Sequence, residues 1–242
     1  MNKLGKLPAR ANSIKLKLSR YVAVSPPPSE KAVNLNWQML GNDTAGDCVV
    51  AGGGHETMAW NNEAGKQVAF SAANTIKDYS SITGYDPKNP NTDQGTDMQV
   101  AASYRRKTGL LDASGKKHQV AAYVALAPGN KAEIKQAIYL FGAVGIGIKF
   151  PQSAMAQFDA GKNWTIVSKS PIEGGHYVPA VGYDSRYVYV VTWGKLTKAT
   201  WGFLNKYMDE GVAYLSYEML NGGKSLEGFD APTLTADLGA LK

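Results

Sequence analysis

The amino-acid sequence predicts an α+β fold with a helical N-terminal half, a C-terminal half of antiparallel strands and an extended basic arm in front. Apolar residues recur at helical spacing in the first half, most clearly over 131–141 (KAEIKQAIYLF). The second half holds short β-branched and aromatic runs bounded by Gly, Pro and Asp-Ser turns. Because the helices come first and the strands later, the order favours α+β over alternating βαβ units.

The individual elements follow from these patterns. We predict helices at 48–60, 71–80, 97–107 and 131–141. We predict strands at 145–150, 176–183 and 186–193, of which the last two form a hairpin through Asp184-Ser185. The insertion 195–207 contains a helix-like stretch, TWGFLNKYM.

The chain divides into a globular domain and two flanking segments. Residues 1–36 form a basic arm and a linker, which prolines 26–28 hold extended. Residues 37–217 form the domain, and residues 218–242 a C-terminal tail. An apolar content of 44% over 242 residues is sufficient for a full core. The sequence has no apolar run of membrane-spanning length, and MNKLGKLPAR lacks the apolar segment of a signal peptide, so we expect no secretion through one.

The net charge of +6 comes from the arm alone. Residues 1–20 carry six basic and no acidic side chains, leaving 20 of each in the rest of the chain. The apolar residues of 1–28 are too few for a core of their own, so we expect this segment to lie on a protein partner. Packing on its own domain is the alternative. Nucleic acid is less favoured, because aromatic side chains are nearly absent before Tyr21.

Cys48 is the single cysteine of the sequence. No intramolecular disulfide or thiolate metal cluster can form, and we expect no metal and no cofactor. Thr44 and Asp47 stand where a helix cap is needed, which places Cys48 in the first turn of the 48–60 helix. A helix N-terminus favours the thiolate over the thiol, so this position suits a nucleophile.

Two separated motifs carry a resemblance to a known family. The segment 42–48 (NDTAGDC) resembles the nucleophile motif of papain-like cysteine peptidases, with an amide side chain six residues before a Gly-x-Cys that opens a helix. The segment 174–183 (GGHYVPAVGY) resembles the family's histidine strand, and Trp193-Gly194 ends the following hairpin as in the family. Gly95 lies in a segment similar to the glycine stretch of the family's substrate groove. Uncharacterised bacteriophage and prophage proteins look similar too.

The resemblance implies a set of site residues. Cys48 would be the nucleophile and His176 the base that later protonates the leaving amine. Asn42 and the backbone N–H of Cys48 would stabilise the oxyanion, and Thr192 would orient the imidazole. The substrate-binding positions would be Gly95, Gly175 and Trp193.

Three departures from the family pattern bear on activity. Asn42 is one methylene shorter than the usual Gln, and loss of an oxyanion donor typically costs about 100-fold or more in rate. The family's orienting Asn is replaced by Thr192 or, counting back from Trp193, by Val191. Val49 follows the nucleophile where the family commonly has Trp. These departures predict a weakened site.

Three functions remain open from the sequence. The first is a cysteine peptidase or amidase acting on a peptide substrate through an acyl-enzyme. The second is a structural papain-fold protein of a virion, such as a decoration, tail or capsid-associated protein held by residues 1–28. The third is a transglutaminase-like acyl transferase, for which we find no matching Asp. We expect a virion or cytoplasmic location and no membrane partner.

Other polar residues are expected to be structural. His55 lies seven residues after Cys48 and is predicted to pack in the core, and His118 to be a surface or strand residue. The loop 86–97 is rich in Asp and Asn but lacks calcium-loop spacing, so we interpret it as a plain loop.

Overall fold

The structure is a computed structural model that describes residues 2–221 and 228–240. Its helices are α1 (Cys48–Glu63), α2 (Ala72–Thr83), α3 (Met98–Lys107), α4 (Lys131–Phe141), α5 (Gln152–Asp159), α6 (Trp201–Tyr207), α7 (Tyr217–Asn221) and α8 (Ala231–Ala240). Its strands are β1 (Leu110–Leu111), β2 (Lys117–His118), β3 (Val120–Leu126), β4 (Val144–Pro151), β5 (Ile172–Tyr183), β6 (Tyr187–Thr192), β7 (Lys195–Thr200) and β8 (Met208–Ser216). The predicted α+β class is confirmed.

Within the described residues, the main sheet has six strands in the order β3-β8-β4-β5-β6-β7. All its pairings are antiparallel, and Ile148 of β4 lies opposite His176 of β5. The hairpin predicted through Asp184-Ser185 is β5–β6. Strands β1 and β2 pair separately as a short antiparallel ribbon.

Two apolar clusters lie on either side of this sheet. One joins α4 and α6 to the sheet, with Ile138, Val178 and Phe203 among its fully buried members. The other surrounds α1 and includes Trp37 and Tyr177. Consecutive residues of β5 alternate between the two clusters because side chains of a strand point to opposite faces. Strand β5 therefore belongs to both halves of the molecule, and the histidine and cysteine segments meet along it.

The N-terminal arm lies on its own domain. We expected residues 1–28 to need a protein partner, because this segment cannot build a core by itself. In the structure Leu18 and Tyr21 instead enter the cluster around α4, and the Tyr21 hydroxyl donates to Asp237 of α8 at 2.7 Å. Residues 2–7 continue across the domain to the cysteine helix, as described below. The core of the domain thus supplies the apolar contacts that the arm lacks.

The C-terminal tail also contributes to the core. Leu234 and Leu238 of α8 are buried in the same cluster as Tyr21. Part of the predicted tail, residues 222–227 and 241–242, lies outside the described residues, and the boundaries 36/37 and 217/218 stay predictions. No helix among the described residues is long and apolar enough to span a membrane.

Candidate active site

Cys48 is the first residue of α1, as the sequence predicted. The helix packs against β5 through a glycine: a Cβ built on Gly52 would lie 2.4 Å from the Tyr177 ring. Only a residue without a side chain allows this approach, which presses the first turns of α1 onto the histidine strand. Asp47 precedes the helix, but its side chain makes no capping hydrogen bond, and burial raises its pKa well above the ordinary value.

His176 lies on β5 and is fully buried. Its Nε2 lies 2.6 Å from the hydroxyl oxygen of Thr192 on β6. Its ring stacks on Trp193, with centroids 4.3 Å apart and planes 17° apart, and the edge of Phe150 closes another side. Thr192, rather than Val191, is therefore the residue in contact with the imidazole, and two aromatic rings fix its orientation.

Cys48, Asn42, Thr192 and Trp193 line one cavity of about 10 Å³. This volume leaves room for about one water molecule and none for a substrate. Cys48 and His176 form no direct hydrogen bond, because Nδ1 of His176 has no hydrogen-bond partner among the described residues. The cavity therefore brings Cys48 together with Asn42 and Thr192, and His176 is joined to this group through its contact with Thr192.

Burial controls the charge of both groups. It raises the pKa of Cys48 to about 12, although backbone N–H groups of Tyr177 and Gly5 oppose the rise. It also lowers the pKa of His176 to about 3. At neutral pH the site therefore holds a neutral thiol and a neutral imidazole, whereas nucleophilic attack requires the thiolate.

Asn42 is buried next to the cysteine helix, and its amide donates to the carbonyl of Ala45 at 3.1 Å. The side chain thus supports the turn that leads into α1. The same side chain interacts with the buried Asp47 carboxyl, where it opposes the rise in pKa that burial causes. The oxyanion role of Asn42 stays a prediction.

The N-terminal arm fills the cleft in front of these residues. Gly5 and Lys6 both donate their backbone N–H to the carbonyl of Gly175, at 3.2 and 3.0 Å. On the other wall, Thr96 donates to the Gly5 carbonyl at 2.7 Å and accepts from Leu7 at 3.0 Å. The arm is held in extended conformation between the strand that carries His176 and the segment next to Gly95.

Upstream of Gly5, Lys3 joins the same walls. Its N–H donates to the Asn42 carbonyl at 3.0 Å, and its own carbonyl accepts from the Trp193 indole at 3.1 Å. The three predicted substrate-binding positions, Gly95, Gly175 and Trp193, therefore all contact the arm or lie directly beside it.

Glycines make this close passage feasible. A Cβ on Gly5 would lie 1.7 Å from the carbonyl oxygen of Gly46. A Cβ on Gly95 would meet the Gly5 carbonyl at 2.3 Å, and one on Gly175 the Lys6 carbonyl at 2.1 Å. Real Cβ atoms do not approach a carbonyl oxygen so closely, so a side chain at any of these three positions would displace the arm.

A buried polar network lies behind the cysteine helix. Arg105 of α3 forms an ion pair with Glu56 of α1, and the Tyr177 hydroxyl donates to the same carboxylate at 2.6 Å. The guanidinium also lies 3.9 Å from the centre of the Tyr214 ring. His55, also on α1, is buried with its Nε2 at 2.9 Å from the Trp37 carbonyl, and burial lowers the pKa of its imidazole to about 4. The network fixes α1 to its neighbours.

Two remaining predictions fall outside the site. His118 is on a strand, β2, but it is buried and not on the surface, because Asp112 and Glu218 bind its two ring nitrogens at 3.0 and 2.7 Å. The loop 86–97 contains a short 3-10 turn at Pro90–Thr92, and Asp93 accepts hydrogen bonds from Tyr79 and from the backbone of Gly46. This loop supports the turn before Cys48.

Sequence reasoning missed the residues that close the cleft. Gly5 and Lys6 are ordinary members of a basic segment, and Asp209-Glu210 begins a strand that the sequence analysis did not predict. Lys6 is one of six basic residues in 1–20, and the acid that it binds, Asp209, lies 203 residues away. No local pattern reports contacts at that separation.

Comparison with known proteins agrees with the observed fold. No family model matches the sequence, and no curated protein does either. Among solved structures, xylellain, a cysteine protease from Xylella fastidiosa, superposes with a TM-score of 0.65 at 14% identity, covering 88% of this chain and 96% of that one. The fold is papain-like.

Two other papain-like structures give the same result. ProCathepsin B S9 from Trypanosoma congolense has a TM-score of 0.61 at 12% identity and covers 88% of this chain and 86% of its own. The Carica candamarcensis protease CMS1MS2, in complex with E-64, has a TM-score of 0.56 at 15% identity, over 78% and 98%. At these identities the likeness establishes the papain-like fold of the chain; its activity is a separate question.

Proposed function

We propose that this chain is a papain-like cysteine peptidase in a latent form, with its own N-terminal arm bound in the substrate cleft. The observation that carries the proposal is the bound arm. Residues 3–7 lie extended between Gly175 and Thr96 and make backbone hydrogen bonds to both walls. A cleft that binds an extended peptide through its backbone, next to a cysteine at a helix N-terminus, is suited to peptide hydrolysis.

The proposed reaction follows from the positions of the side chains. When the arm leaves, water and substrate enter, and the Cys48 proton can move to Nδ1 of His176. The thiolate then attacks the carbonyl carbon, and the oxyanion accepts hydrogen bonds from Asn42 and the Cys48 N–H. Collapse breaks the C–N bond as His176 protonates the amine, and water hydrolyses the resulting thioester. Thr192 keeps the imidazole oriented throughout.

Latency follows from the desolvated state of the pair. With the arm in place, the thiol has its pKa raised to about 12 and the imidazole has its pKa lowered to about 3, so neither carries the charge that the reaction needs. One of the similar structures, proCathepsin B, is a pro-form by its name, which is consistent with a blocked state.

The test is alkylation of Cys48 by iodoacetamide at pH 7, together with hydrolysis of a fluorogenic peptide mixture. Gly5→Ala should displace the arm and accelerate labelling by at least about tenfold, because the thiol regains access to water and to His176. Gly239→Ala is the matched control, since a Cβ at Gly239 meets no neighbour. Cys48→Ser should abolish both labelling and hydrolysis.

The second candidate is a papain-fold protein with an inert cysteine, which is favoured by the unpartnered Nδ1 of His176. It predicts that Cys48 of the Gly5→Ala chain reacts no faster than the thiol of denatured protein at the same pH, and that no peptide is cut. The virion role gains no support from the arm, because residues 2–21 contact their own domain.

A further inference from the structure

The side chain of Lys6 occupies a pocket of its own beside the cleft. It is fully buried, with 0% of the side chain exposed, and Nζ lies 3.1 Å from Asp209 and 2.9 Å from Glu210. The third hydrogen of the ammonium goes to the Leu7 carbonyl at 2.9 Å. All three donors of the ammonium are therefore used.

The walls of the pocket are shaped for a long unbranched stem. A Cβ on Gly147 of β4 would lie 2.3 Å from Cε of Lys6, so the glycine leaves the channel open. The same Cβ would lie 2.8 Å from the Glu210 side chain and 2.9 Å from the Met98 sulfur, which places both residues around the channel. The pocket thus has apolar sides and an acidic end.

The two carboxylates at the acidic end of the pocket are explained by the binding of a cation. Adjacent on β8 and largely buried, they repel each other and lose hydration, which is unfavourable in a protein interior unless a cation compensates. Burial accordingly raises the pKa of Glu210, and Lys6 opposes that rise. A pocket that merely had to hold the arm would do so as well with an apolar side chain in an apolar pocket.

The acidic end also has unused capacity. Oδ1 of Asp209 is buried and has no hydrogen-bond partner among the described residues. A lysine ammonium has no donor left for it, whereas a guanidinium has five donors in a planar fork. The site can therefore satisfy an arginine more completely than the lysine that now fills it.

We propose that this pocket, formed by Gly147, Asp209 and Glu210, selects a lysine or arginine side chain of the peptide substrate, with Lys6 as its occupant in the closed state. The inference rests on the proposed peptidase function and specifies its substrate class. Asp209 and Glu210 are then the specificity-determining residues, and the residue selected is the one that lies beside Thr96 in the cleft.

The pocket itself is tested first, without reference to activity. In full-length Lys6→Ala, n-propylammonium replaces the deleted atoms of the side chain. It should raise the melting temperature by about 2 °C or more over equal n-propanol and matched sodium chloride, because it binds the folded state. Wild type and Lys6→Ala/Glu210→Gln should show no such difference. Equal effects of amine and alcohol in Lys6→Ala would mean that the pocket does not recognise charge.

A second pair of variants covers the case in which Lys6→Ala does not fold. Lys6→Met keeps the length of the stem and removes the charge, and Lys6→Arg keeps the charge. Cys48 should be alkylated at least about tenfold faster in Lys6→Met than in Lys6→Arg, because only the arginine holds the arm down. Equal rates would overturn the proposal.

Selectivity is then measured in full-length Gly5→Ala/Lys6→Ala with fluorogenic peptides that differ at one position. Arginine or lysine should exceed norleucine at least about tenfold in kcat/KM, and Glu210→Gln should reduce this ratio to below about threefold. Hydrolysis without a basic preference overturns the pocket proposal and leaves the peptidase standing. Rescue by propylammonium without any hydrolysis supports the pocket and contradicts the peptidase.

Discussion

Two buried ion pairs lie on opposite sides of the candidate active site and differ in where their cations come from. Behind α1, Arg105 pairs with Glu56, and both groups belong to packed helices. In front, Lys6 pairs with Asp209 and Glu210, and the cation comes from an arm segment without regular secondary structure. The first pair can separate only when the domain unfolds, whereas the second separates when the arm leaves. The Arg105–Glu56 pair thus stabilises the packing of the helices, whereas the Lys6 pairs hold a segment that can detach.

The largest effect is expected at the rear pair. Arg105→Leu leaves the Glu56 carboxylate buried without its cation, and breaking such a pair costs about 3–5 kcal/mol of unfolding free energy. Urea unfolding followed by tryptophan fluorescence measures this loss. Arg105→Leu/Glu56→Gln should recover part of it, because the uncompensated charge is removed. A loss below about 1 kcal/mol would show that the rear pair is no more fixed than the front one.

A smaller global effect is expected at the front pair. In Lys6→Met the arm can detach and let water reach the two carboxylates, so the unfolding free energy should fall by only about 1–2 kcal/mol. Limited proteolysis with a non-specific protease should instead cut within residues 3–6, which wild type holds in the cleft, much faster than in wild type. Equal resistance of the arm in both proteins would contradict the view that this contact is separable.

The third buried cation is the imidazolium of His118, which loses its proton as the pH rises. Burial lowers the pKa of His118, but its bonds to Glu218 and Asp112 outweigh burial and the net pKa is raised. The folded state therefore binds the proton more tightly than the unfolded state, and the stabilisation is complete below the ordinary pKa of about 6.5 and lost as pH rises through the raised value.

The corresponding variant is His118→Gln. The difference in unfolding free energy between wild type and this variant should shrink by about 1 kcal/mol or less on raising the pH from 6 to 9, because the folded state then loses the proton that the two carboxylates hold. Urea titrations at each pH measure it. A difference that grows with pH would show that the imidazole is neutral in the folded state.

The sequence predicted the parts of the site whose signals are local. The run from Asn42 to Cys48 and the strand around His176 carry distinctive residues at short spacing, and the structure places Cys48 at the start of α1 and His176 on β5. Thr192 could be named by counting along the hairpin after His176, and its hydroxyl lies at the imidazole. The catalytic roles of these residues stay predictions.

What could not be predicted depends on contacts between distant segments. Strand β8 begins with Met208-Asp209-Glu210-Gly211. Two adjacent acids break the alternation of apolar and polar residues that identifies a strand, and both contact Lys6 of the arm. Likewise, nothing within the first 20 residues says that Gly5 must lack a Cβ, since the clash is with Gly46. The sequence of the arm therefore favoured binding to a partner protein, whereas in the structure the arm packs on its own domain.

The position of the arm's anchor determines how the cleft can be opened. Residues 7–12 are exposed, whereas Ile14 and Leu18 are buried, so a tether of about seven residues joins the blocking segment to the core. A short tether gives an effective concentration in the millimolar range, at which even a peptide of weak intrinsic affinity keeps its site occupied. One backbone cut in this exposed stretch makes rebinding bimolecular, and at micromolar protein the released fragment dissociates on dilution.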